Sequence, residues 1–162
     1  MKRNLLISFA LLIISTIVMR WQGSVLITPV STKGIIDVEF SRTLERFNQL
    51  RLFLDQGAVI TNIYLDFIFI AAYTWFLVSA CRYIRSTTGW NKWSNMFSSI
   101  SISAAMFDVC ENFLLLLIWN GRFTPSLLEV VFWCAAIKFV LAGSVILFLL
   151  LAWPFSLRRK KR

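Results

Sequence analysis

Two carboxylates and an amide, Asp108, Glu111 and Asn112, lie close together inside a long apolar run. They fall within about one and a half turns of a helix. Ionisable side chains are costly to keep in a membrane-spanning helix, so they normally face the interior of a bundle and indicate a functional site. A carboxylate there can pair with a cation, hold a proton or act as a general acid or base. These residues therefore predict a polar centre, but they do not identify its ligand.

Two further apolar runs carry polar residues that can reach the same centre. In one run the polar residues are spaced by four and then seven positions, which puts them on one stripe of a helix. Counted from the outer end of each run, the ionisable groups of all three runs fall roughly 12–16 Å deep, at about 1.5 Å per residue. The predicted site therefore consists of seven residues: Asn62, Asp66, Tyr73, Asp108, Glu111, Asn112 and Lys138.

The formal charges of this predicted site do not balance. Three carboxylates, Asp66, Asp108 and Glu111, accompany one ammonium, Lys138. A bare carboxylate in a low-dielectric interior costs several kcal/mol, so either some carboxyls hold a proton or a cationic ligand completes the site. A purely structural role is the alternative, because hydrogen bonds between membrane helices contribute about 0.6–2 kcal/mol each. A pair of Lys138 with Asp108 can likewise serve assembly alone.

The rest of the chain predicts the elements that position these residues. Of 162 residues, 58% are hydrophobic, and they form four runs over 5–21, 58–81, 94–119 and 127–153. Such runs are typical of membrane-spanning helices. The first run starts with basic residues like a signal peptide, but no small-residue cleavage site follows, which indicates an uncleaved helix. We predict an all-α, polytopic membrane protein, a four-helix bundle forming a single domain over 1–162.

The only substantial extramembrane segment is predicted to contain an amphipathic helix over about 40–56. Its apolar residues recur at intervals of 4, 3, 3 and 4, as on one face of a helix: Phe40, Leu44, Phe47, Leu50 and Leu54. Gly57 is a plausible helix end. This helix is expected either to lie on the outer membrane surface or to cap the bundle.

The basic residues predict the orientation in the membrane. The formal net charge is +9, and seven basic residues lie at the two chain ends. The short loop after the second run carries Arg82, Arg85 and Lys92 and no acid. By the positive-inside rule, both termini and this loop are cytoplasmic, most simply in a bacterial inner membrane. A nucleic-acid partner is not expected, because no soluble module is visible.

Several classes of site are excluded by composition. The chain has no histidine, which excludes His-based metal sites and Ser–His or Cys–His hydrolase chemistry. Three cysteines without a Cys-x-x-Cys spacing support neither zinc nor a disulfide framework. No metal and no cofactor are predicted.

The order of these features resembles known membrane proteins. A short first helix and an outer loop precede the segment 62–69, the motif 108–112 and Lys138. This resembles small bacterial four-helix membrane proteins over most of the chain, a likeness that implies no activity. More distantly, the layout is similar to the emopamil-binding-protein group (EXPERA domains), whose members bind sterols or cationic amphiphiles through intramembrane acids, some acting as isomerases. No full motif of that group matches, so no catalytic residue follows from it.

Three functions remain open at this point. The first is binding of a lipid-like or cationic small molecule between the second, third and fourth spans, with Asp66 and Glu111 pairing with its positive group. The second is a lipid-modifying enzyme that uses one carboxyl as acid and another as base. The third is an accessory subunit whose polar layer contacts a partner membrane protein. In each case the lipid bilayer is the immediate partner.

Overall fold

The structure, a computed structural model, describes residues 2–158, and these are helical with no strand. In chain order the helices are α1 (Lys2–Gly23), α2 (Ile35–Glu39), α3 (Leu44–Phe53), α4 (Gln56–Thr88), α5 (Asn91–Trp119) and α6 (Pro125–Arg158). By length and composition, α1, α4, α5 and α6 can each cross a membrane. The prediction of an all-α membrane bundle with four long helices is confirmed. The basic tail over 159–162 lies outside the described residues.

Local capping interactions set the ends of the helices. Asp55 accepts a hydrogen bond from the backbone N–H of Ala58 and starts α4. Gly89, with a φ of 75°, ends the same helix in the left-handed conformation that favours glycine. Thr124 accepts from the backbone N–H of Leu127 and directly precedes Pro125, the first residue of α6.

The four long helices run alternately up and down. α4, α5 and α6 pack against one another, and α1 packs along α4. At one end of the bundle, which we call the cap end, Phe47 of α3 contacts the ring of Trp119 on α5. At the opposite end, which we call the basic end, Tyr83 of α4 contacts Trp153 of α6. The ionisable residues of the bundle lie between these two ends.

The amphipathic segment differs from its prediction. The helix predicted over 40–56 is shorter, since α3 covers Leu44–Phe53, and Phe40 is the C-terminal cap of a separate preceding helix, α2. Thr43 accepts from the N–H of Arg46 and begins α3, so the chain turns between the two. Gly57 is no helix end, because Asp55 has already capped α4. Phe47 and Leu50 are fully buried, so this segment caps the bundle.

The last helix also continues further than expected. Pro154, predicted to end the fourth span, lies inside α6, which runs on to Arg158. Proline is tolerated in membrane helices because neighbouring groups can satisfy the freed backbone. Ser156 donates to the carbonyl of Trp153 in this turn.

Candidate functional site

Lys138 of α6 is the centre of the polar cluster. Its Nζ lies 2.8 Å from Oδ1 of Asp108 and 2.8 Å from Oε2 of Glu111. A third carboxylate oxygen, Oε2 of Glu39, lies at 3.5 Å. All four side chains are buried. One ammonium is therefore surrounded by three carboxyls from two different helices.

The two acids on α5 reach Lys138 because they lie three positions apart, on the same face of the helix. Asp108 uses both of its oxygens: Oδ1 accepts from Lys138 and Oδ2 accepts from the hydroxyl of Tyr73, at 2.9 Å. Tyr73 belongs to α4, so this aspartate joins α4, α5 and α6. A predicted pair of Lys138 with Asp108 is present.

Asp66 occupies a different position in the cluster. Its Oδ2 accepts a hydrogen bond of 2.7 Å from the side-chain amide of Asn112 on α5. Asp66 is half-buried, whereas Asn112 is buried. The acid is thus held by a neutral donor, while the ion pairs of Lys138 go to the other three acids.

Glu39 is a member of the cluster that the sequence did not single out. It lies on α2, outside the four candidate spans, yet its side chain is only 8% exposed. Burial raises the pKa of Glu39 above its ordinary value, and Lys138 acts in the opposite direction. The sequence offers one indication that Glu39 is buried: its two neighbours in the chain, Val38 and Phe40, are both apolar. A charged residue in an exposed loop seldom has two such neighbours.

Asn62 is a predicted site residue that the structure places elsewhere. Its amide donates to the side-chain carbonyl of Gln22, and the amide of Gln22 donates to the backbone carbonyl of Ala58 at 2.7 Å. These contacts connect α1 to α4 one turn nearer the cap end than Asp66. Asn62 therefore serves the packing of two helices, although it shares a stripe with Asp66 and Tyr73.

A cavity of about 540 Å³ lies beside the cluster. Five polar residues line it: Glu39, Asp66, Tyr73, Asp108 and Lys138. The rest of the wall is apolar, with Leu12 from α1 and Phe69, Phe76, Phe139 and Ile146 from α4 and α6. The walls thus come mainly from α1, α2, α4 and α6.

This wall differs from the predicted pocket. The expected location was between the second, third and fourth spans, but α5 contributes only Asp108 to the lining. Glu111 and Asn112 do not line the cavity; Glu111 lies behind Lys138 and has no exposed side-chain surface. Glu111 therefore contacts Lys138 from the side away from the cavity.

The charge imbalance is larger than the sequence indicated. Glu39, Asp66, Asp108 and Glu111 carry four formal negative charges against the one positive charge of Lys138, a net of −3 if all are ionised. In the described part of the chain, Oε2 of Glu39 and both oxygens of Glu111 are buried without a hydrogen-bond partner. Glu111 Oε2 is an ion-pair partner of Lys138 that lies outside hydrogen-bond geometry. Buried polar atoms are normally satisfied, so at least one carboxyl of this cluster is expected to hold a proton or to meet a cation.

Glu129 is the remaining acid of the last span. It lies at the cap end, where Arg42 donates to both of its oxygens, at 2.6 and 3.1 Å. Both side chains are largely exposed, so this pair is separate from the polar cluster. Among residues 2–158, no three acidic or cysteine side chains are arranged to hold a metal ion.

No protein-family model matches the chain, and it has no significant match among curated proteins or solved structures. The resemblance to small four-helix membrane proteins and to the emopamil-binding-protein group stays a prediction.

Proposed function

We propose that this membrane protein binds a small organic cation with an apolar body in the cavity beside Lys138. The observation that carries the proposal is the combination of aromatic walls with an excess of three formal negative charges. An acidic cluster alone can be structural. Here it is accompanied by a cavity and by Glu39, an almost fully buried residue that lines it and whose Oε2 has no hydrogen-bond partner among the described residues.

The size and walls of the cavity suit a ligand of this kind. Pockets for small molecules typically measure about 300–1,000 Å³ and combine apolar walls with a few polar groups. Phe69, Phe76 and Phe139 line the cavity and can contact both the apolar body and, through their ring faces, the positive charge. Lys138 already lies 5.2 Å from the ring centre of Phe139, so cations are accommodated near this ring.

Asp66 is the carboxylate best placed to pair with the ligand. It lines the cavity and accepts a hydrogen bond from Asn112, whereas Asp108 and Glu111 share the ion pairs of Lys138. An anionic ligand is disfavoured, because the ammonium of Lys138 is occupied and the surrounding charge is negative. This arrangement favours a cation over a fatty acid or an acidic lipid headgroup.

The first test compares two ligands of the same shape. Benzyltrimethylammonium and its carbon analogue neopentylbenzene differ only in the charged nitrogen. Titration calorimetry of the purified protein in lipid nanodiscs should show saturable binding of the cation and none of the neutral analogue. Asp66→Asn should weaken binding by about 10- to 100-fold, because a hydrogen bond or contact with a charged group contributes about 1.5–3 kcal/mol.

The matched control is Asp55→Asn on the same helix. Asp55 is exposed and caps α4, a role that asparagine fills equally well, so its affinity for the cation should equal that of the wild type. Equal binding of both ligands, or an equal loss in both variants, would contradict the proposal.

A second test fills the cavity without touching a charge. Gly143 lines the cavity, and a Cβ atom built there meets nothing within 4 Å. Gly143→Leu should therefore place its side chain in free space and reduce binding at least about tenfold, the factor that corresponds to 1.4 kcal/mol. Helix propensity favours leucine over glycine by about 0.8 kcal/mol, so stability should not fall. Unchanged affinity would move the binding site away from this cavity.

The same samples separate the other two functions. A lipid-modifying enzyme would convert a membrane lipid into a product that mass spectrometry of the nanodisc lipids detects. An accessory subunit would bind neither ligand. Binding of the cation without lipid turnover supports the proposal.

We propose further that both termini are cytoplasmic and that the cap end lies on the other side of the membrane. Lys2, Arg3 and the basic loop after α4 lie at the same end of the bundle, which the positive-inside rule assigns to the cytoplasm. A reporter fused after Arg162 should be active only in the cytoplasm of a bacterial host. Reporter activity in the periplasm would show that the protein has the opposite orientation.

A further inference from the structure

The three carboxyls around Lys138 are not equivalent. Asp108 and Glu111 each lie 2.8 Å from Nζ, while Glu39 lies at 3.5 Å, beyond a good hydrogen bond. Glu39 Oε2 and both oxygens of Glu111 are buried without a hydrogen-bond partner among the described residues, but Glu111 keeps the 2.8 Å ion pair with Lys138 that Glu39 lacks. Of the three, Glu39 therefore gains least from the ammonium, although its side chain is 92% removed from solvent.

The charged groups that face Glu39 come from three helices. Lys138 of α6 is attractive, whereas Asp108 of α5 repels a second negative charge, and Glu111 of α5 lies beside the same ammonium. Asp66 of α4 lines the same cavity as Glu39. When carboxyls share one site, like-charge repulsion and burial leave at least one of them protonated. The raised pKa of Glu39 agrees with this expectation.

Basic side chains close to Glu39 in the chain are engaged elsewhere. Arg42 pairs with Glu129, and Arg46 of α3 donates to the backbone carbonyl of Val30. Arg51 of α3 lies over the ring of Phe123. Lys33 is exposed, and within residues 2–158 Lys138 is the basic side chain in ion-pair contact with the cluster, shared among three acids.

We propose that the site exchanges a proton for the organic cation, with Glu39 as the group that holds the proton while the cavity is empty. A cation that enters the cavity brings one positive charge next to Glu39, Asp66 and Asp108. Glu39 then releases its proton to the solvent, and the carboxylate that remains faces the ligand. One charge replaces another, so the net charge of the site stays constant. This inference rests on the proposed cation-binding function and adds that binding of the cation is coupled to release of a proton.

The experiment uses benzyltrimethylammonium, a quaternary ion that has no proton of its own to lose. Calorimetric titrations of the full-length protein in nanodiscs are made at one pH in two buffers with different ionisation enthalpies, phosphate and Tris. We expect release of about one proton per cation bound, seen as a buffer-dependent heat. Affinity should rise by about tenfold per pH unit while Glu39 is protonated in the empty protein, because binding releases a proton.

The informative variant is Glu39→Gln, with Glu45→Gln as its matched control. Glutamine resembles the protonated glutamate, so Glu39→Gln should bind the cation more weakly, with no proton release and an affinity independent of pH. Glu45 is exposed on α3, so Glu45→Gln should release the same proton as the wild type. If Glu39→Gln does not fold, Glu39→Asp should retain the release but shift its pH range, because the shorter side chain changes the distance to Lys138.

Each outcome supports or overturns one statement. Binding by the wild type with equal heats in both buffers would overturn the exchange and leave the binding function standing. Proton release that persists in Glu39→Gln, or an unshifted pH range in Glu39→Asp, would overturn the assignment to Glu39. Absence of any binding would overturn the proposed function itself.

Discussion

Helices α4, α5 and α6 pack against one another in two layers of different chemistry, one apolar and one charged. The aromatic layer, nearer the basic end, consists of Cys81, Phe97, Val145, Phe148 and Leu77, which also borders the cavity. The rings of Phe97 and Phe148 stack with centroids 4.2 Å apart, and the helix segments that carry this layer, 77–81, 97–100 and 145–149, contain no charged residue. The polar layer, which holds Lys138 with its acids and the cavity, lies about three turns from the stacked rings along α5 and α6. Close packing is therefore sufficient to join these helices where no charge is present.

The comparison shows what the polar layer contributes. Buried ion pairs are rarely more stabilising than apolar side chains of the same volume, because desolvation offsets their attraction. If assembly were the only requirement, a second aromatic layer would serve it as well. The unbalanced acids next to a cavity are thus better explained by a ligand than by helix association.

The largest expected effect is the loss of the central ammonium. Lys138→Met should destabilise the protein by about 3–5 kcal/mol, because it leaves several buried carboxyls without their counter-charge. Thermal unfolding of the detergent-purified protein measures this. The double variant Lys138→Met with Asp108→Asn should recover part of the loss, since one unpaired acid is removed. Strictly additive losses would mean that the two side chains do not interact.

Substituting two phenylalanines on α6, one in each layer, tests whether the layers have different roles. Phe148→Ala should lower stability by about 2 kcal/mol, roughly half the effect of a fully buried phenylalanine, and leave cation affinity unchanged. Phe139→Ala should do the reverse, because Phe139 is 47% exposed and lines the cavity. Unfolding temperature and calorimetric affinity are measured on both. Equal effects on both quantities would remove the distinction between the layers.

The polar layer should also respond to pH. Because burial raises the pKa of Glu39 in the folded protein, the folded state holds its proton to higher pH than the unfolded state. Stability should therefore fall as pH rises from the ordinary glutamate value toward the raised one, by at most about 1.4 kcal/mol per pH unit for one proton. Glu39→Gln should flatten this slope, measured as unfolding temperature against pH. A slope that stays unchanged in the variant would assign it to another acid.

The smallest effect is expected at the exposed ion pair of the cap end. Arg42 and Glu129 are 51% and 40% exposed, and such pairs contribute about 0–1 kcal/mol. Arg42→Gln should change stability by less than about 0.5 kcal/mol and leave cation binding intact. A loss comparable to that of Lys138→Met would show that this contact, and not the polar layer, holds α2 in place.

Part of the site was predictable because it depends on local patterns. Asp108 and Glu111 share a helix face through their spacing, and their place in an apolar run indicated a buried centre. The same depth count brought Lys138 and Asp66 into the layer. Asn62 followed the same stripe, but its hydrogen-bond partner is Gln22, on a helix whose position the stripe does not specify.

The sequence alone determined the all-helical class, the four long apolar helices and the presence of buried acids facing one lysine, because hydrophobicity and helical periodicity are properties of neighbouring residues. Only the tertiary structure decided that α2 folds back to place Glu39 at Lys138, that Glu111 lies behind the lysine, and that α1 and α2 complete a cavity. Those features depend on contacts between residues far apart in the chain, and such contacts are set by how the bundle and its cap pack together.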